Sequence, residues 1–329
     1  MTPDSPPTNR RDALLQILRL GGLSVAAGGA AWWLKSRSRR PEEALAADLK
    51  HNFTVAPDPG LPAMVVAQGE GPEVLTRQAL KAIGSISRFV KRGDVVVVKP
   101  NIAWDRTPEQ AANTNPQVVS EIVRLCLEAG AKKVIVTDVS CNDPRRCFER
   151  SGIAAAARAA GAEVLLPEER RFKEVDMHGD VLSTWAVLDH FLNADKMINV
   201  PIAKHHSLTE CTLGMKNWYG ILGGPRHRLH QRIQESLVDL ADFMRPTLTI
   251  LDAYRILLRN GPTGGNVGDT ALKKTVIAST DPVALDAYVA KAFWDLERDR
   301  LPYLKMAQDR GLGKMDFESV RTSIIAAGA

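Results

Sequence analysis

Val95-Val96-Val97-Val98-Lys99-Pro100-Asn101 is the stretch from which the fold can be read. Four consecutive β-branched residues with no polar alternation predict a strand covered on both faces, as in a parallel sheet between helices. On either side the chain keeps the same rhythm. Upstream, Met64–Ala67 predicts a strand and Glu73–Val90 a helix. Downstream, Asn115-Pro116 predicts a helix to Ala129, with Asn as cap and Pro in the first helical position. Lys133–Thr137 then predicts a strand, Ser151–Ala160 a helix, and Glu163–Leu166 and Met197–Val200 further strands. Gln231–Phe243 predicts an amphipathic helix, Thr247–Leu251 and Thr275–Ala278 two strands, Pro282 to about Asp295 a helix, and Val320–Ile325 a last strand. The charged stretch Glu168–Gly179 predicts an antiparallel excursion. The alternation predicts an α/β fold: a mostly parallel sheet with helices on both faces, preceded by an N-terminal signal or anchor helix.

Three regions follow: residues 1–40 as a twin-arginine-like signal or membrane anchor, 41–63 as a proline-rich linker, and 64–329 as a single α/β domain. In the leader, Arg10-Arg11 stand ahead of the mostly apolar Leu14–Leu34, a length that can span a bilayer. The pattern resembles a twin-arginine export leader. That makes the membrane and the twin-arginine export machinery expected partners and puts the domain on the periplasmic face of a bacterial cytoplasmic membrane. Two alternatives stay open. Ala44-Leu45-Ala46 fits a cleavage site, which would release a soluble exported domain. The basic run Lys35–Arg40 fits a plain anchor with the domain facing the cytoplasm.

Of the 329 residues, 45% are hydrophobic and 25% charged, which excludes a disordered chain, a collagen-like repeat and a polytopic membrane protein. The net charge of +5 is concentrated at the start. The first 50 residues carry eight Lys/Arg against five Asp/Glu, leaving 35 against 33 in the remainder. A near-neutral domain offers no nucleic-acid footprint. Four cysteines are too few for a disulfide scaffold. Export would permit a Cys141–Cys147 disulfide, which the sequence leaves open.

Open α/β sheets bind ligands outside the carboxyl ends of their strands. There the predicted strands deliver Lys99 and Asn101, Asp138, Asn199 with Lys204 and His205-His206, Asp252, and Asp281. Asp281 before Pro282 equally fits a helix cap. The segment Ala203–Arg232 holds Lys204, Lys216, Arg226, Arg228 and Arg232 against one acid, Glu210, with four of the seven histidines. Such a field suits a phosphate or carboxylate. The glycine-rich loop Asn260–Asp269 can cradle an anion through backbone amides, although tight turns explain it equally well.

Six motifs in order resemble the family called domain of unknown function 362: VVVVKPNIAWDR (95–106), NTNP (113–116), AGAKKVIVTD (129–138), NVPIAKHHSLTECTLGMKNWYGILGG (199–224), LLRNGPTGG (257–265) and ASTDPVALDAY (278–288). The resemblance spans residues 64–328. It implies an α/β fold and carries over no catalytic residue. Many relatives append an iron–sulfur module with clustered cysteines; this chain has no such cluster, so no iron–sulfur cofactor is expected.

The expected function is action on a small anionic ligand at the sheet's carboxyl edge. Lys99, Asn101, Lys204, Lys216, Asn217, Gly264 and Gly265 are the expected ligand-binding residues. His206, Lys216 and Lys99 are the catalytic candidates, with His206 held neutral as a base by the lysines. Asp138, Asp252, Asp286 and His206 are the candidate ligands of a divalent metal. The alternative is a non-catalytic binding or assembly factor using the same basic crest; an electron-transfer role ranks behind both. For the leader, replacing Arg10 and Arg11 by lysine should block export. Protease added to spheroplasts should then digest the domain in the wild type and spare it in the double variant.

Overall fold

The computed structural model describes residues 51–326; the leader, with Arg10 and Arg11, lies outside them. The elements in chain order are β1 (His51–Asn52), β2 (Met64–Gln68), α1 (Pro72–Ala82), α2 (Ile86–Phe89), β3 (Val95–Pro100), α3 (Pro116–Glu128), β4 (Lys133–Val136), α4 (Pro144–Arg150), α5 (Ile153–Ala159) and β5 (Glu163–Val164). Then come β6 (Phe172–Asp176), β7 (Thr184–Leu188), α6 (Asp189–Leu192), β8 (Lys196–Val200), β9 (Ile202–His206), β10 (Glu210–Thr212), α7 (Ile233–Phe243) and β11 (Met244–Arg245). The chain closes with β12 (Leu248–Leu257), β13 (Thr270–Ser279), α8 (Pro282–Trp294), α9 (Pro302–Asp309) and β14 (Thr322–Ala326).

The main sheet runs β14-β2-β13-β12-β8-β3-β4-β5. All neighbours are parallel except β13, which is antiparallel to both β2 and β12. The valine run lies at its centre, between β4 and β8. Its two-residue period sends Val96 and Val98 into one core, with Val119 and Ile122 of α3 and Leu80 of α1. Val97 enters the opposite core, with Leu237 of α7, Val289 of α8 and Leu304 of α9. Both faces of the sheet are thus covered, which is why the strand has no polar alternation.

Several elements differ from the sequence reading. The helix expected over Glu73–Val90 breaks at Gly84, whose φ of +110° a side chain rarely adopts; a Cβ there would also meet Leu61 at 2.5 Å. The helix expected from Ser151 begins after Gly152, and a separate helix, α4, precedes it. Its start was written in Asp143-Pro144, where the Asp143 carboxylate accepts from the Arg146 N–H. β12 and β13 are each ten residues long, roughly twice the expected span. Asp252 therefore lies inside a strand, paired with Val276 and Ile202, not after one. Within the expected linker, His51–Asn52 pairs in parallel with Met244–Arg245. The antiparallel excursion is the β6–β7 hairpin, Phe172–Asp176 against Thr184–Leu188. Among the described residues no helix is long and apolar enough to cross a membrane.

Asp281 is the cap of α8: its Oδ1 accepts from the N–H groups of Val283 and Ala284, and its Oδ2 from that of Lys314. Asp281→Ala should lower the unfolding free energy by about 1–2 kcal/mol, read as a shifted urea midpoint at unchanged slope.

Candidate functional site

At the carboxyl ends of β3 and β4, two full charges are buried against each other. Lys99 Nζ donates to Asp138 Oδ1 at 2.7 Å and to the Pro100 carbonyl at 3.1 Å. Asp138 Oδ2 accepts from the Ile102 N–H at 2.6 Å, which turns the chain as it leaves β3. Burial pushes the Lys99 ammonium below its ordinary pKa, and the Asp138 carboxylate opposes that. Gly220 passes directly over the pair. A Cβ there would collide with Asp138 Oδ1 and stand 2.6 Å from Lys99 Nζ.

From this pair a run of amides crosses the crest. Lys204 Nζ donates to Asn101 Oδ1 at 3.0 Å and to the Ala112 carbonyl at 2.6 Å. Asn101 Nδ2 donates to Asn217 Oδ1 at 3.0 Å. Asn217 Nδ2 donates to Asn199 Oδ1 at 2.8 Å and to the Lys99 carbonyl. Asn199 Nδ2 ends the run on the Gly214 carbonyl. Asp286 of α8 holds that turn from below, accepting from the N–H groups of Gly214 (2.7 Å) and Met215 (3.1 Å). The turn leads into a 3-10 helix, Lys216–Ile221, which carries Lys216, Asn217, Tyr219 and Gly220.

β9 explains which of the two adjacent histidines matters. Alternate residues of a strand share a face, so Lys204 and His206 point one way and His205 the other. Lys204 and His206 line the cleft, whereas His205 Nδ1 accepts from the Gly261 N–H. The cleft has a volume of about 560 Å3, and Lys99, Asn101, Asp138, Lys204, His206, Lys216 and Asn217 all line it. Tyr219, Arg226 and His230 also line it; Arg226 and His230 belong to the cationic, histidine-rich segment expected to suit an anion, whereas Tyr219 was not expected at the site. Arg226 carried the clearest available signal, a cation next to a glycine-proline turn. Its guanidinium donates to the carbonyls of Val139, Ser140 and Tyr219.

Lys204 and Lys216 are both buried, and both ammoniums are pushed down to about 7, chiefly by desolvation. Lys216 Nζ stands 4.1 Å over the Tyr219 ring. His206 is pushed down to about 2, first by burial and then by Lys216 and Lys204. Its ring is therefore neutral, as the sequence suggested, but its polarity differs. Nδ1 accepts from the Leu208 N–H at 3.1 Å, so the neutral ring carries its proton on Nε2. His206 offers the cleft a donor, not a lone pair.

Two groups of expected residues do not join the site. Gly264 and Gly265 stand outside the cleft lining; the Gly265 carbonyl accepts from Gln110 Nε2 at 2.7 Å, and Gly264 packs on Leu257. Their loop is pinned to the 107–110 turn and reaches the cleft through Pro262. Asp252 and Asp286 are buried and already engaged by backbone N–H groups, Asp252 by those of Asn115 and Tyr254; burial raises them to about 6 and about 7. Asp138, Asp252, Asp286 and His206 form no common metal site. Among the described residues no group of three or more His, Cys, Asp or Glu side chains could hold a metal ion. Cys141 and Cys147 are both free thiols, the first exposed and the second buried.

Residues 96–291 match the family described as "Domain of unknown function (DUF362)". The chain is 28% identical over 244 residues to the thylakoid-associated protein sll1697 of Synechocystis sp., covering 72% of this chain and 74% of the relative. Among solved structures it is similar to the lactate racemase apoprotein of Thermoanaerobacterium thermosaccharolyticum, with a TM-score of 0.42 and 9% identity over 72% of this chain. The match takes in 58% of the racemase chain and says nothing of its chemistry here.

Removing one member of a buried ion pair leaves the other charge stranded. Asp138→Asn should cost about 3–5 kcal/mol in the urea unfolding free energy. Gly220→Ala, which drives a methyl group into the same pair, should be destabilised in the same assay although it removes no charge.

Proposed function

The chain belongs to the DUF362 family, whose description names no reaction, and we propose that it binds a small phosphate- or carboxylate-bearing ligand in the crest cleft and transfers protons on it. One observation carries this reading: Lys204 and Lys216 face a cleft whose lining contains one carboxylate, Asp138, and that carboxylate is already held by Lys99. Two buried cations are left without a counter-ion from the lining. An anion entering the cleft supplies it. His206 Nε2–H and the ammonium of Lys204 serve as donors to its oxygens, and the Lys99–Asp138 pair holds the floor. Trp104, Val139, Leu208 and Pro262 line the remaining wall and fit an apolar body on the ligand.

The alternative, a non-catalytic partner-binding crest, calls for a broad apolar patch beside the cleft. Leu208 is the one large hydrophobic residue of the described lining that is strongly exposed. The reading also includes membrane association through residues 1–40, with export by the twin-arginine route. It is supported by the sequence Arg10-Arg11 ahead of Leu14–Leu34 and by the name of the thylakoid-associated relative.

The test is calorimetric titration with inorganic phosphate and small carboxylates. Lys204→Met should weaken binding about 10- to 150-fold, the equivalent of one charge-assisted hydrogen bond. The pH dependence has a definite sign. Both ammoniums are depressed to about 7 in the free protein, and a bound anion favours the charged form, so binding takes up protons. Affinity should fall as pH rises above about 7, and the binding heat should vary with buffer ionisation enthalpy in the direction of uptake. Absence of binding by every small anion would overturn the reading.

A further inference from the structure

We propose that Lys216 is a nucleophilic amine that condenses with the carbonyl group of a small anionic aldehyde or ketone to form an imine. The inference rests on the anion-binding reading of the same cleft and narrows the ligand to a carbonyl compound carrying a carboxylate or phosphate.

The three cleft lysines have different surroundings. Lys99 has the Asp138 carboxylate as its counter-ion. Lys204 gives two N–H bonds to oxygens, those of Asn101 and Ala112. Lys216 is 7% exposed, and its Nζ makes no hydrogen bond to any described residue. Its near neighbour is the face of Tyr219. A desolvated ammonium without hydrogen bonds is costly, and a neutral amine is much less so. The same environment that disfavours the charge leaves the nitrogen lone pair free. A desolvated lysine beside other cations is the arrangement that makes an amine a nucleophile near neutral pH. The groups facing it are Lys204 and Arg226, whose charges disfavour its protonation, Cys141, which favours it, and the rings of His206 and His230, both shifted toward the neutral form.

The other cleft groups match such a substrate. The ammonium of Lys204 holds its carboxylate or phosphate. The Nε2–H of His206 polarises its carbonyl oxygen. The Lys216 lone pair forms the C–N bond while the carbonyl π pair moves to oxygen. The nitrogen then gives up its two protons, the oxygen leaves as water, and a C=N bond remains. The step needs no oxidant or reductant. Once protonated, the imine nitrogen draws electrons from the C=N carbon and eases loss of a proton from the carbon beside it, whose electron pair moves toward the nitrogen. This is how the cleft would transfer a proton on its ligand.

The test uses glyoxylate as an anionic aldehyde and borohydride to reduce any imine to a stable secondary amine, on the full chain. Peptide mapping should place the adduct on Lys216 before exposed lysines such as Lys81 and Lys132 react. Its rate should rise with pH to a midpoint near 7, and inorganic phosphate should suppress it. Lys216→Arg should abolish the adduct; the wild-type map decides the matter by itself if that variant does not fold. An adduct spread over exposed lysines, or confined to Lys204, overturns the proposal. Glyoxylate that binds by calorimetry but leaves Lys216 unmodified overturns the imine and leaves the anion-binding reading standing. If neither glyoxylate nor phosphate binds, both fail.

Discussion

Lys99 and Asp138 place an ammonium and a carboxylate where water does not reach, and each must be matched by the other. Much of the crest follows from that requirement. The second carboxylate oxygen takes the Ile102 N–H and so sets the path of the chain after β3. The space left above the pair accepts backbone but no side chain, so a glycine, Gly220, must cross there. The 3-10 helix that carries Gly220 is thereby held against the ends of β3 and β4. Lys216 is one turn away on the same helix, and its position derives from the buried pair.

The amide run adds direction. An ammonium can only donate, so Lys204 fixes Asn101 with its oxygen toward the lysine and its nitrogen toward Asn217. Asn217 must then donate onward to Asn199, and Asn199 to the Gly214 carbonyl. One charge thus orients three side chains from three separate segments. The arrangement is rigid because reversing any amide would place like groups against each other at two points.

The sheet and its crest were legible because both rest on local signals. An unbroken valine run implies cover on two faces, and Lys99, Asn101, Lys204, His206, Lys216 and Asn217 lie just beyond such runs or in a segment rich in cations. Asp252 carried the same signal without sharing the site, whereas Asp286 falls inside the helix that starts at Pro282. The sequence does not distinguish an acid after a strand from one within it, and β12 ran on past Leu251 through its pairing with β13. Gly264 and Gly265 read as an anion cradle because a glycine loop looks the same whether it faces a ligand or Gln110. The role of His206 turned on one backbone N–H, that of Leu208, which no pattern of residue types reveals.

The crest also separates positions that are tied to buried partners from positions that are not. On the floor, a change at Lys99, Asn101, Asn199, Lys204 or Asn217 strands a buried partner, so single substitutions there carry a folding cost. At the rim, Ala103, Val139, Leu208 and Pro225 present side chains that satisfy no such partner. For the anion-binding reading proposed above, the body of the ligand would be set by these rim positions and the grip on its charged end by the floor. A change of rim residue therefore alters the shape of the cleft without disturbing the hydrogen bonds of its floor.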